Sequence, residues 1–339
     1  MKPPHSHRVW ALTAGLSLML SSIAGANEYK IAFVLSDGIY VMNHRGSDVR
    51  RLTDDKMAVL ADSAWSPNGQ RIMFFAFRKD DADLGQKYDL PFHFPMYAMN
   101  ADGSNQKRLL DVPLLPDAKW SPNGMSILFS SAYEASSSKD PESAVYLLDL
   151  ATGKHRRLTQ LPDASDASWS PDGTQVVFSA RSKETREIYV MNADGTNQKQ
   201  LTNLGMAAVS PVWSPDARSI AFVASGWFTM DANGANQRHV SRLAALKVEW
   251  APDSKHLLVV GEGGAYVCEA DGANGKGIAA GHGRLIDAVF SPDGRSVILR
   301  SHAGANDKIY ISSADGSDLR TLNENVGEST LFAVSPVPR

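Results

Sequence analysis

Two short motifs alternate along this chain, seven copies of each, so one structural unit must recur over most of its length. The first reads aromatic-Ser-Pro-Asp/Asn-Gly. It appears as WSPNG at Trp65 and Trp120, WSPDG at Trp169, WSPDA at Trp213, WAPDS at Trp250 and FSPDG at Phe290, with a worn VSP at Val334. The second is an alternating apolar run ending in a glycine turn, such as IYVMNADG, with Gly46, Gly103, Gly153, Gly195, Gly234, Gly272 and Gly316 at the turns. Proline presets φ inside the first motif, and the glycine after it lets the chain re-enter a sheet. Segments between the motifs, such as QVVFSA and EIYVMN, are β-branched and aromatic without helical period.

Each unit therefore reads as strand a, Ser-Pro-Asp-Gly turn, strand b, variable connection, strand c, Asp-Gly turn, strand d. Four strands in roughly 40–45 residues make one blade of a propeller. The expected fold is all-β, a seven-bladed β-propeller with four-stranded antiparallel blades. A six-bladed ring is the alternative and requires one repeat to be absorbed elsewhere. The chain opens with strands b, c and d only (KIAFV, GIYVM, VRRLT) and ends with strand a only (TLFAVSP). Residues 29–53 and 329–336 are thus expected to share one blade and close the ring, which removes exposed sheet edges.

Residues 1–26 read as a secretory signal peptide and 27–339 as the propeller. Lys2 and Arg8 precede an apolar run, and Ala24-Gly25-Ala26 supplies the small-x-small cleavage site. The remaining 313 of 339 residues carry 32 basic and 37 acidic side chains, a formal charge of −5. That balance, with no Lys/Arg run, offers nucleic acid no electrostatic footprint. No later stretch is long and apolar enough for a membrane span. Cys268 is the one cysteine, so packing alone must hold the fold.

The WSPDG–IYVMNADG–QLT unit resembles the TolB-type, WD40-like (PD40) propeller repeat, over essentially all of residues 29–336. The resemblance implies a periplasmic or secreted protein whose channel mouth receives partner proteins. TolB proteins carry an α/β domain ahead of a six-bladed propeller, whereas here strand b starts just after Ala26 and seven blades are counted. Similar repeats build the propellers of prolyl-oligopeptidase-like peptidases and oligogalacturonate lyases, so function must be argued from the site.

Loops between strands b and c, and between d and a, vary among repeats and ring one face. The longest, residues 78–97, places Asp80, Asp81, Asp83 and Asp89 beside Tyr88, Phe92, His93 and Phe94, a candidate contact surface. Its Asp81-Ala-Asp83-Leu-Gly85 run lacks the later ligand positions of a calcium loop. Asp62, Asp117, Asp166 and Asp287 each stand three residues before the repeat aromatic, where strand a begins near the channel; Ser210, Lys247 and Leu331 occupy that position in the other copies. The four carboxylates could bind Ca²⁺ at the channel mouth, or accept hydrogen bonds from neighbouring backbone as a repeated structural device. His282, in a d–a loop, and His302, at the start of a b–c loop, could meet near the mouth as a metal-dependent lyase requires. The chain has no G-x-S-x-G nucleophile motif. These readings favour a binding scaffold for envelope or secreted proteins, with glycans as a further ligand class and no cofactor. The alternative is a polysaccharide lyase with a His or metal site in the channel.

Overall fold

The computed structural model describes residues 28–336, apart from 36–37, 55–56, 79–94, 111–116, 133–141, 242–244, 262–263, 279–283, 304–305 and 327–331. Its strands form seven four-stranded antiparallel sheets, and no helix occurs among the described residues. Six sheets use consecutive strands and are numbered blades 2 to 7 in chain order, carrying Trp65, Trp120, Trp169, Trp213, Trp250 and Phe290 in turn. The seventh, blade 1, joins Phe332–Val334 to Lys30–Leu35, with Ile31 opposite Val334 and Phe33 opposite Phe332. Backbone and side chain reinforce this closure, since Ser335 donates to Lys30 O (2.7 Å) and Lys30 N donates to Ser335 Oγ (2.8 Å). The molecule is a seven-bladed propeller whose terminal strands share a blade, as the repeat order requires.

Local chemistry explains the blade. In Ser-Pro-Asp-Gly the serine hydroxyl donates to the aspartate or asparagine and accepts the backbone N–H five residues on. Ser170 Oγ reaches Asp172 Oδ1 (2.6 Å) and receives Gln175 N (2.9 Å). Gly173 holds φ +71° there, the left-handed region that suits a residue without Cβ. Just past the outer strand, the threonine of the Leu-Thr pair accepts an N–H of strand c, as Thr202 Oγ1 does from Ile188 N (2.9 Å).

Blades adhere through side chains from both faces of each sheet. Ile31, Phe74, Phe129, Phe178, Phe222, Leu258 and Leu299 are fully or nearly fully enclosed. Ring pairs stack across strands b and c, Phe178 on Tyr189 and Phe129 on Tyr146, with centroids 5.6 and 5.3 Å apart; each such pair adds about 0.5–1.5 kcal/mol beyond its buried area. Two of the five repeat tryptophans bond to the preceding blade, Trp120 Nε1 donating to Ala64 O and Trp250 Nε1 to Val212 O. Gln198 Nε2 bridges Leu158 O of the preceding blade and Gly195 O of its own turn, each at 3.0 Å. Gly103 packs so closely that a Cβ there would lie 2.6 Å from Leu52 O.

Candidate functional site at the channel

Strand a is innermost, and five of its copies carry a register shift beside the position three residues before the aromatic: Ala61/Ser63, Ser165/Ser168, Val209/Val212, Ala245/Lys247 and Leu285/Asp287. A bulge re-aims the side chain that follows it. Asp166 and Ser210 adopt φ of +56° and +53° at this point. The sequence did not reveal these bulges, because strand a is too short for its alternation to show a one-residue shift.

Asp117 ties blade 3 to blade 4. Its Oδ1 accepts Ser130 N (2.9 Å), and its Oδ2 accepts both the Ser130 hydroxyl and Asp166 N (3.1 Å). Burial pushes its carboxyl up to about 6, with the charge of Asp166 adding and the Ser130 bonds opposing. Asp166 Oδ2 accepts Ser179 Oγ (2.7 Å) and lies 3.9 Å from Arg186 Nη2, which itself donates to Ser165 and Ser179 hydroxyls.

Between blades 6 and 7 the same position carries opposite charges. Lys247 Nζ contacts Asp287 Oδ1 and Ala288 O, both at 3.0 Å, and Glu249 Oε2 at 3.3 Å. All three side chains are buried, and Glu249 Oε1 accepts Phe290 N (3.1 Å). Burial works against the Lys247 ammonium, but Asp287 and Glu249 reverse that and hold its pKa above the usual lysine value. Burial also pushes Glu249 up to about 7, against the attraction of Lys247.

On blade 7, His302 lies within strand b (Ser296–Ala303) rather than in a loop, directly opposite Asp307 of strand c (Asn306–Ser313). Its Nδ1 is 2.7 Å from Asp307 Oδ1, while Asp307 Oδ2 lies 3.9 Å from Nη1 of the fully buried Arg300. The ring of His302 is 44% exposed above this buried pair, so Arg300 and Asp307 fix its orientation while one edge stays open.

Tyr88, Phe92, His93, Phe94 and His282 lie outside the described residues, as do Asp80, Asp81, Asp83 and Asp89; of Asp62 only the backbone, in the strand Met57–Trp65, is described. Among the described residues no three His, Cys, Asp or Glu side chains converge as a metal site, and Asp117, Asp166 and Asp287 are each bonded into a blade seam. Nothing in the repeat pattern pairs Lys247 with Glu249 or Arg300 with Asp307. The one available signal was Lys247 standing in the aspartate position of its repeat. Cys268 is buried, and its thiol is pushed up to about 11 chiefly by that burial.

The geometry defines a closed, repeat-built β-propeller whose polar side chains concentrate at blade seams around a central channel. Residues 84–263 match the TolB beta propeller domain, and the chain belongs to that family. Three solved structures share the fold. TolB from Acinetobacter baumannii superposes with a TM-score of 0.57 at 18% identity, covering 90% of this chain and 81% of that one. An oligogalacturonate lyase in complex with manganese gives 0.62 at 13%, covering 81% and 82%. Puromycin hydrolase gives 0.65 at 14%; 93% of this chain is covered but only 54% of that one. At these identities the likeness is one of fold. Among the described residues no helix is long and apolar enough to cross a membrane.

Proposed function

We propose that this protein is an exported binding scaffold, working in the periplasm or outside the cell after cleavage near Ala26. It captures envelope or secreted proteins, and glycans as a secondary class, at the face carrying the b–c and d–a connections. The observation that carries this reading is the state of the channel-side polar groups. Asp117, Asp166, Lys247, Glu249 and Asp287 are held by partners within or across blade seams, which suits a rigid frame displaying variable loops. The segment 79–94, whose sequence has no counterpart in the other repeats, and the exposed edge of His302 are then the proposed contact elements.

The test is recovery of partners from envelope extract on immobilised residues 27–339, with and without the 79–94 segment. Specific retention that depends on the segment supports the reading, and equal retention overturns it. Export is tested by N-terminal sequencing of periplasmic or secreted material: Asn27 is expected, and Met1 would refute it.

A lyase reading draws on one observation, the exposed His302 edge backed by Asp307 and Arg300. A carboxylate-oriented imidazole is suited to taking a proton. Formation of unsaturated products from oligogalacturonate by the wild type, lost in His302→Ala, would replace the scaffold reading.

A further inference from the structure

The chain holds four Asn-Gly pairs: Asn68-Gly69, Asn123-Gly124, Asn233-Gly234 and Asn274-Gly275. Such a pair is prone to lose the asparagine amide, because glycine puts no side chain in the way of its own backbone nitrogen attacking the neighbouring Cγ. In an unfolded chain the four are alike, so the fold decides among them.

Three are locked into turns. Asn68 Oδ1 accepts Ser66 Oγ (2.8 Å) and Gln70 N (3.1 Å), and Asn123 Oδ1 accepts Ser121 Oγ (2.7 Å) and Met125 N (3.0 Å). Their glycine nitrogens are equally committed, Gly69 N donating to Ser66 O (2.8 Å) and Gly124 N to Ser121 O (2.9 Å). In blade 5, Asn233 Oδ1 accepts Ala235 N and Gly234 N donates to Asp231 O, both at 2.9 Å. Attack at any of these requires the turn to open first.

Asn274-Gly275 is placed differently. It follows the c–d turn of blade 6, whose corner is Gly272, and both residues are exposed. The Gly275 N–H bonds to no other described residue. Nor does the backbone call for glycine there: its φ lies outside the left-handed region, and a Cβ would meet only Cys268 Cβ, at 3.7 Å. Gln106, Gln198 and Gln237 fill the same place in blades 2, 4 and 5 and bridge to the blade before them. Blade 6 gives up that bridge and gains an open nitrogen beside an asparagine. The Asn274 side chain is held by a single bond, Nδ2 to Glu269 Oε1 (2.6 Å).

We propose that Asn274 is a site of spontaneous deamidation in the folded protein, with water as the co-reactant. Gly275 N loses its proton and attacks Asn274 Cγ, and the side-chain nitrogen leaves as ammonia. Water then opens the five-membered imide to aspartate or isoaspartate, and nothing is oxidised or reduced. The product turn is weaker. Equivalent pairs in other blades match a donor with an acceptor: Asn43 Nδ2 with Asp48 Oδ2 and Asn236 Nδ2 with Asp231 Oδ2, both at 2.6 Å, and Ser313 Oγ with Asp318 Oδ2 at 3.3 Å. Conversion sets a carboxylate at position 274 against Glu269, a like-charge pair that none of these turns holds. The site lies on the turn face and stands or falls independently of the binding face.

The experiment incubates residues 27–339 at neutral and at alkaline pH, with a parallel sample in denaturant. Peptide mass spectrometry then follows aspartate and isoaspartate at all four asparagines. In the folded protein Asn274 should convert about tenfold or more faster than Asn68, Asn123 or Asn233, since breaking two turn bonds imposes at least that factor. Its rate should rise at alkaline pH, where the Gly275 nitrogen ionises more readily. In denaturant the four rates should draw together. Gly275→Gln, which carries the residue of the sister turns, should slow Asn274 to the rate of the other three; should it fail to fold, the comparison within the parent protein decides. Asn274→Asp should lower the melting temperature by about 2 °C. Equal rates in the folded protein, the same ranking in denaturant, an undiminished rate in folded Gly275→Gln, or an unchanged melting temperature in Asn274→Asp would overturn the proposal.

Discussion

Ala217 takes the position that glycine holds in four other Ser-Pro turns, and it adopts φ +61° beside glycines at +67° to +71°. A Cβ in the left-handed region costs about 1–2 kcal/mol, partly offset because alanine restricts the unfolded chain more than glycine does. Ala217→Gly is therefore expected to stabilise the protein by about 0.5–1 kcal/mol in denaturant unfolding; an unchanged midpoint would show that the turn is not strained. Asp117 and Glu249 make a second residue-scale prediction. Their folded pKa values, about 6 and about 7, stand above the ordinary 3.8 and 4.5. Between roughly pH 4 and 7 the folded state holds protons that the unfolded chain has released, so stability falls as pH rises through that window. Carboxylates with depressed values, such as Asp172 and Asp194, act in the opposite sense but only below their ordinary pKa. The melting temperature should be higher at pH 5 than at pH 8, by on the order of 2–4 °C. Asp117→Asn should narrow the difference, and a flat profile in the wild type would count against both assignments.

At the scale of elements, the blade was legible because its information is local. Ser-Pro-Asp-Gly fixes one hairpin and the alternating run with its glycine fixes the next, so strand order, antiparallel pairing and the shared terminal blade could all be read from the chain. Six of the seven c–d turns hide one further requirement, a left-handed Asp or Asn two residues after the glycine, as at Asn197 (φ +54°) and Asn236 (φ +53°); these residues tolerate that conformation better than most. The seam contacts were not legible. Lys247 meets Asp287 forty residues away, and which strand faces which depends on the ring, not on neighbours in sequence. The bulges in strand a, which turn those side chains toward one another, left no mark on a five-residue alternation. The closing strand offers the sharpest element-scale test. Ala333 and Val334 are fully buried, and Val334 packs with Ile31, Phe33 and Ile298. Removing residues 332–339 uncovers Lys30–Leu35 as an unpaired edge. The loss should exceed about 3 kcal/mol, from the Val334 side chain and the severed ladder together, and the truncated protein should associate at concentrations where the parent is monodisperse. An unchanged melting temperature would mean the ring does not depend on this latch.

The whole molecule separates two faces by what each can vary. Turns on one face define the repeat: Ser121 Oγ donates to Asn123 Oδ1 (2.7 Å), Met125 N donates to the same oxygen (3.0 Å), and Gly124 holds φ +68°. Changes there alter how a blade folds. Connections on the other face begin after the strands have already paired, as Phe75 and Met96 do on either side of residues 79–94. Cross-strand partners lie only about 4.5–5.5 Å apart, so a two-residue turn can join the shortened strands without moving a blade. Replacing 79–94 in this way is expected to leave the melting temperature within about 3 °C of the parent, since loop length contributes weakly to stability. If this face holds the partner, the same variant should lose most of its capture from envelope extract. Gly124→Val should do the reverse, costing about 1–3 kcal/mol of stability while binding per folded molecule is unchanged. Partner recovery that tracks Gly124 rather than the 79–94 segment would place the binding face among the turns and reverse the assignment.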